Sequence, residues 1–402
     1  MITLAGIEAA LSRIRDSVYL SPCSRSEAFS RLSFNSVHLK LENLQRTGSF
    51  KERGALNKLL CLTHSEKSKG VIAASAGNHA QGVAYHAGLQ GIRAQICMPL
   101  ATPLIKVSAT RGYGAEVVLT GANYDEAYAE ALQRAEQERF TLIHAFDDDD
   151  VIAGQGTLGL ELIQQCPDIE AVLVPIGGGG LIGGISCAIK ETNSKVKIFG
   201  VQPSRLPSMK VALGEGKPVT IASAATIADG IAVRRAGDKT LPLVQKYVDE
   251  IVTVDEEEIA NAILLLLERE KSLVEGAGAA GLAALLNRKL PLSGKKVVVL
   301  ICGGNIDVTL LSRIIERGLV KDGRLVRLRI HLPDYPGALH KLTGILAQHR
   351  ANIVETSYDR AYYGVNLGET AIGITMETRG PDHIAELLSA LSAADYAHER
   401  IL

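Results

Sequence analysis

Ser49-Phe50-Lys51-Glu52-Arg53-Gly54-Ala55 sets one lysine between an aromatic ring and an arginine–glycine pair. Ala55, Leu56, Lys58, Leu59 and Leu60 follow, mostly good helix formers, so Lys51 falls at the start of a helix. There the positive end of the helix dipole disfavours an ammonium group, which lowers the lysine pKa. An amine that gives up its proton easily can form a Schiff base with a carbonyl compound. A lone lysine in this setting reads as an ordinary surface residue. Two stretches downstream, Ser75-Ala76-Gly77-Asn78-His79 and Gly177-Gly178-Gly179-Gly180, argue otherwise.

Working outward, Val37, Leu39 and Leu41 alternate with His38, Lys40 and Glu42, which predicts a strand with one polar face. From Gly70 to about Phe146, short apolar runs (71–74, 94–97, 116–119) alternate with helical segments (103–110, 124–138). A second alternation spans about 151–320, with strands at 171–174, 197–201, 251–254 and 297–301. Such β–α alternation implies parallel sheets, and two α/β units with a cleft between them is the simplest architecture. Asp147 to Asp150 read as a solvated loop capping the next helix, with no chemistry of their own.

Gly177 to Gly180 and Leu181 join a strand to a helix. Glycines there let backbone N–H groups close on a phosphate, and the helix N-terminus favours its charge. Gly178, Gly180 and Gly183 also spell G-x-G-x-x-G, but the next strand ends Val201-Gln202-Pro203, without the acid a dinucleotide ribose needs. The loop therefore suits a single phosphate. Ser75 to His79 join another strand to a helix, where N–H groups can hold a carboxylate and the Asn78 amide suits a phenolic oxygen. Cys302-Gly303-Gly304-Asn305 ends the last strand, the place where open α/β sheets put ligands.

Composition narrows the class. Charged residues make up 22% with a net charge of −1, which argues against nucleic-acid binding through bulk basicity. No apolar run reaches membrane-spanning length and no secretory signal opens the chain, so a cytoplasmic protein is expected. The six cysteines are scattered without a C-x-x-C pair, so reduced thiols and no metal site are expected.

Together the lysine, asparagine and tetraglycine stretches resemble the tryptophan-synthase-like (fold type II) pyridoxal-phosphate enzymes, most closely the threonine ammonia-lyases, over about residues 1–320. The resemblance implies a two-domain catalytic part, with a small subdomain at about 46–146 inserted in the larger one. It implies that Lys51 carries pyridoxal 5'-phosphate as a Schiff base and later serves as general base, while Phe50 packs on the ring. Asn78 would bond the ring's 3-oxygen, and Gly177, Gly178, Gly179, Gly180 and Leu181 would hold the phosphate. Cys302 would face the ring nitrogen without being able to keep it protonated, which favours rapid loss of a β-hydroxyl. Ser75, Ala76, Gly77, Asn78 and His79 would bind the substrate carboxylate, with Gly230 and Glu275 near the cofactor.

The implied reaction is conversion of L-threonine to 2-oxobutanoate and ammonia, and of L-serine to pyruvate. A serine racemase or β-replacement synthase of the same fold, or a non-catalytic amino-acid sensor, are the competing readings. Serine racemases of this fold have a serine where this chain has Ala76, which argues against racemisation. Lys51 argues against a sensor.

After about Gly323 the character changes. Val326, Leu328, Ile330 and Leu332 alternate with Arg327, Arg329 and His331, and the remainder reads β-α-β-β-α with a short last strand. The tail at 325–402 resembles an ACT domain, a ferredoxin-like regulatory module that usually pairs across a subunit interface to bind small amino acids. By that resemblance Asp334, Gly337, Ala338, Leu339, Asn352 and Ile353 form an allosteric site, and the protein is a homodimer or homotetramer.

Overall fold

The computed structural model describes residues 2–359 and 365–401. The chain divides into two compact units, Met1–Ile306 and Asp307–Leu402. The first unit begins with strands β1 (Cys23–Arg25) and β2 (Ser36–Leu41). It then leaves to build a smaller sheet from β3 (Val71–Ala74), β4 (Ala94–Met98), β5 (Glu116–Leu119) and β6 (Thr141–Leu142). It returns with β7 (Ala171–Pro175), β8 (Lys197–Pro203), β9 (Glu250–Val254) and β10 (Lys296–Ile301).

The smaller sheet is parallel, in the order β5-β4-β3-β6. The larger has the order β1-β2-β10-β7-β8-β9 and is parallel apart from β1. Every residue of β7 is buried, and five of the six in β10, as a parallel sheet covered on both faces requires. The helix Gly276–Leu286, eight of its eleven residues glycine or alanine, approaches β7 and β10 closely: a Cβ at Gly281 would touch Val299 and Leu173. The chain runs β7 to β9 in one direction and then returns to place β10 on the other side of β7. That reversal is a topological switch point, and it opens a crevice at the carboxyl ends of β7 and β10.

Two sequence expectations fail here. The polar face of β2 is only partly solvated: Lys40 is fully buried, with its ammonium on Glu161, Gln165 and the Ser21 carbonyl. Glu42 lies beyond β2 in a short 3-10 helix, also fully buried, against Arg53. Lys40 faces a covering helix, Asp149–Gln165, and not water, while His38 stays partly exposed. The Asp147–Asp150 run is half-buried. Asp148 does cap that helix, accepting from Asp150 and Val151 N–H at 2.9 and 3.1 Å, while Asp147 accepts from Asp238 and Lys239 N–H.

The second unit opens with the helix Val308–Lys321 and continues as β11 (Leu325–Pro333), a helix Ala338–Gln348, β12 (Asn352–Asp359), β13 (Glu369–Glu377), a helix Pro381–Ala393 and β14 (His398–Ile401). Of the sequence-assigned 325–402 domain, residues 360–364 and 402 lie outside the described residues. The sheet order β12-β13-β11-β14, antiparallel throughout, is ferredoxin-like. The alternation in β11 is kept: Val326, Leu328, Ile330 and Leu332 bury one face against Leu342, Leu346, Ile384 and Leu387. Among the described residues no helix is long and apolar enough to cross a membrane.

Candidate active site

The segment before Lys51 lies antiparallel to the chain leaving β10. Ser49 bridges Gly303, Phe50 N–H donates to the Cys302 carbonyl at 3.1 Å, and Gly304 N–H donates to the Gly48 carbonyl at 2.9 Å. This zipper fixes the start of the helix Lys51–Cys61 against the end of β10. The Lys51 amine lies 5.5 Å from the Phe50 ring centre and makes no hydrogen bond or ion pair among the described residues. Its pKa is depressed as expected, but burial is the leading cause, with Cys302 and Glu275 partly opposing it. The helix dipole invoked from sequence is not what dominates.

Gly177 to Gly180 connect β7 to the helix Gly180–Thr192. Gly179 has φ 99°, and a Cβ there would lie 2.5 Å from the Met209 methyl and 2.7 Å from Thr240 Oγ1. Only glycine meets both demands, the left-handed backbone and the missing space. Thr240 Oγ1 and Gly237 N–H both donate to the Gly178 carbonyl, which holds the loop in place. The N–H groups of the helix's first turn have no partner within the helix, a ready anion site.

Asn78 opens the helix Asn78–Leu89 beyond β3 and is the centre of a polar chain. Its Nδ2 donates to Glu275 Oε1 at 2.7 Å, and its Oδ1 accepts from Asn305 Nδ2 at 2.8 Å. Asn305 also donates to the Thr47 carbonyl at 2.8 Å. One amide hydrogen of Asn78 is left for a ligand.

Phe50, Lys51, Asn78, Gly177 to Gly180, Leu181, Gly230, Glu275 and Cys302 line one pocket. Ser75, Ala76, Gly77 and His79 are not on its wall. The His79 ring points away, with Nε2 against the Ile143 carbonyl at 2.8 Å, and burial pulls its pKa down to about 3. A neutral, buried ring cannot grip a carboxylate, so only the backbone of His79 remains available for that role. Ser75 to Gly77 stay partly exposed, and beside Gly77 there is open space for a ligand.

In the second unit Gly337, at φ 94°, precedes the helix Ala338–Gln348. Asp334, Gly337, Ala338 and Leu339 follow the end of β11, whose last residue pairs with Glu369. Asn352 and Ile353 start β12 and pair with Glu377 and Met376, at the opposite end of β13. A single copy thus holds the two halves of the expected effector site at opposite ends of its sheet.

Two functional candidates escaped sequence reasoning. Asn305 was noted only as part of a strand end. Gln155 lines the pocket, is 1% exposed, and has no partner for either amide atom among the described residues. The available signal was a lone amide in an otherwise apolar, glycine-rich stretch, Val151-Ile152-Ala153-Gly154-Gln155-Gly156.

Glu275 is 3% exposed, and burial, then Asp229, push its carboxyl up to about 7. A carboxyl that binds its proton more tightly when folded makes stability fall as pH rises from about 4.5 to about 7. Glu275→Gln keeps the acceptor for Asn78 and is expected to flatten that fall, gaining up to roughly 3 kcal/mol above pH 7. Urea midpoints of the cofactor-free protein at pH 5 and pH 8 test this. Equal pH sensitivity in both proteins would refute it.

An aldehyde carrying a phosphate fits these residues: one unpaired amine, a glycine-built anion site, and an orphaned amide on the same wall. The profile of the family described as pyridoxal-phosphate dependent enzyme matches residues 14–303. The chain is 48% identical over 396 residues to a Thermotoga maritima L-threonine ammonia-lyase and 50% identical over 397 residues to one of Geobacter sulfurreducens, with 98% of each chain covered in both cases. Among solved structures, the processed form of threonine deaminase isoform 2 from Solanum lycopersicum superposes with a TM-score of 0.75 at 38% identity, over 78% of this chain and 86% of that one. The chain belongs to the pyridoxal-phosphate-dependent enzyme family and has its fold type II architecture.

Proposed function

We propose that the protein is a pyridoxal-phosphate-dependent L-threonine ammonia-lyase, a cytoplasmic enzyme forming 2-oxobutanoate and ammonia, with L-serine as a second substrate. The observation that carries this is the depressed, unpaired Lys51 amine in one pocket with the tetraglycine helix start, in a chain whose near relatives bear that name over their whole length.

Bound cofactor supplies the electron sink that makes the substrate's α-proton removable. This chain supplies the rest. Lys51, stripped of water and easily neutral, takes the α-proton as general base. Phe50 and Leu181 wall the pocket with apolar surface, which keeps water from competing. Glu275 and Asn305 fix Asn78 from two sides, so that its spare N–H is preoriented. Cys302, buried and with its pKa pushed well up, stays a neutral thiol that neither adds nor removes a charge. The start of the helix Asn78–Leu89, with Ser75 to Gly77, offers the substrate carboxylate an electropositive edge. Ala76 carries no hydroxyl to deliver a proton, which favours elimination over racemisation.

The C-terminal unit is assigned as an ACT-type regulatory module of a homodimer or homotetramer. The separation of Asp334–Leu339 from Asn352–Ile353 in one copy supports pairing, since a second copy can bring the two halves together.

Purified protein incubated with L-threonine, and separately L-serine, is expected to release the oxo acid, with no D-serine formed. Added isoleucine or valine is expected to change the rate, and deletion of residues after 306 to remove that response. No oxo acid from either substrate, with cofactor bound, would sink the lyase reading. An unchanged rate with every aliphatic amino acid tried would sink the regulatory one.

A further inference from the structure

Gln155 sits in the helix Asp149–Gln165 where that helix is pinned between two others. On one side a Cβ at Gly154 would fall 2.7 Å from both the Arg53 carbonyl and the Gly54 α-carbon, so the helix touches the Lys51 helix backbone to backbone. A Cβ at Gly54 would in turn lie 2.4 Å from Gln155 Nε2. The Gln155 amide therefore rests on bare glycine, one turn after Lys51. On the other side, a Cβ at Gly184 would come within 2.5 Å of the Ile152 carbonyl and 2.7 Å of Gly156 N. Gly184 lies one turn into the helix that begins at Gly180. Gln155 thus occupies the junction between the lysine's helix and the helix whose start carries the tetraglycine loop.

Both amide atoms of Gln155 are buried without a partner, and the residue lines the pocket. A buried, unpaired amide costs about 1–3 kcal/mol or more, and buried polar groups in native proteins are nearly always satisfied. Three of the other polar groups on the wall, Asn78, Glu275 and Cys302, gather around the end of β10. Gln155 instead lies against Gly54 of the lysine's helix. Besides Lys51, the wall has no cation among the described residues to neutralise a phosphate, so neutral N–H donors must hold it. The close packing around Gly54, Gly154 and Gly184 leaves the side chain little freedom to turn elsewhere.

We propose that Gln155 is a positioning residue for the cofactor, donating an amide hydrogen bond to its phosphate alongside the backbone of the tetraglycine loop. The inference rests on cofactor binding and not on the lyase reading.

The test compares binding of pyridoxal phosphate with binding of pyridoxal, which lacks the phosphate. Both are titrated by visible absorption into wild type, Gln155→Leu and Gln155→Glu, with circular dichroism to confirm folding. Gln155→Leu is expected to weaken pyridoxal phosphate about tenfold or more, since hydrogen bonds to charged groups are the stronger kind. Pyridoxal affinity is expected to hold. Gln155→Glu keeps the shape and sets a carboxylate against the phosphate, so it should weaken pyridoxal phosphate further and again spare pyridoxal. Equal losses for both ligands would place Gln155 on the ring or in a purely structural role and overturn the proposal. So would unchanged pyridoxal phosphate affinity in Gln155→Leu, which would mean that water satisfies the amide. Should the leucine variant not fold, the glutamate variant alone decides between these outcomes.

Discussion

Lys51→Ala is expected to abolish both the visible absorption of the bound cofactor's covalent attachment and turnover of L-threonine, the latter by about a thousandfold or more, the scale of losing a positioned general base together with a covalent anchor. The basis is geometric before it is electrostatic. The zipper of Gly48, Ser49 and Phe50 with residues 302–304 holds the first turn of the lysine's helix in place, and among the described residues no other amine lines the pocket. Burial then lowers the pKa from 10.5, and nearby Glu275 recovers only part of the shift. A base with a depressed pKa is neutral over more of the physiological range, and activity should fall as pH drops through it. Lys51→Arg should be as inactive as alanine despite keeping the charge, because arginine does not deprotonate at working pH. The decisive measurement is the absorption spectrum and oxo-acid release of both variants under saturating cofactor. Substantial turnover in either would remove Lys51 from the chemistry.

The parts of this site that were legible in the sequence are those written locally. A lysine at a helix start, four glycines between a strand and a helix, and apolar runs of strand length each carry their meaning within a dozen residues. The parts that were not legible depend on what covers them. Alternating Val37-His38-Leu39-Lys40 has the pattern of a half-exposed strand, and only the helix Asp149–Gln165, lying over it, makes Lys40 a buried charge. Gln155 offers the same lesson from the other side: Val151 to Gly156 are buried on every side, so the single amide among them stands in no periodic pattern. The depressed pKa of Lys51 was anticipated for a secondary reason, since the depth of a side chain is a tertiary property that helix position does not report.

Arg53→Met is expected to destabilise the protein by about 3–5 kcal/mol, the scale for breaking a buried ion pair from one side. Arg53 is fully buried and forks onto two carboxylates at once. Its Nε and Nη2 donate to Glu42 at 2.7 and 2.9 Å, and its Nη1 and Nη2 donate to Glu161 at 2.6 and 3.0 Å. Lys40 supplies the second cation, on Glu161 at 2.6 Å. Two cations thus balance two anions in a space closed to water, and methionine fills the volume but leaves one negative charge uncompensated. Burial by itself would raise the Glu42 carboxyl, yet Arg53 and its hydrogen bonds hold it below its usual value. In wild type that pair therefore adds stability at neutral pH and loses it as pH falls through the depressed pKa. In Arg53→Met the sign reverses: Glu42, left without its cation, must take a proton to remain buried, so the variant should regain ground on wild type as pH drops from 7 towards 5. Arg53→Lys should fall between the two, because an ammonium cannot bridge both carboxylates in the plane of a guanidinium. Urea unfolding midpoints of the three proteins across that pH range provide the test. A Met variant as stable as wild type at pH 7, or one that weakens in parallel with it on acidification, would mean that helix packing alone, at Gly54 and Gly154, holds the lysine's helix in place.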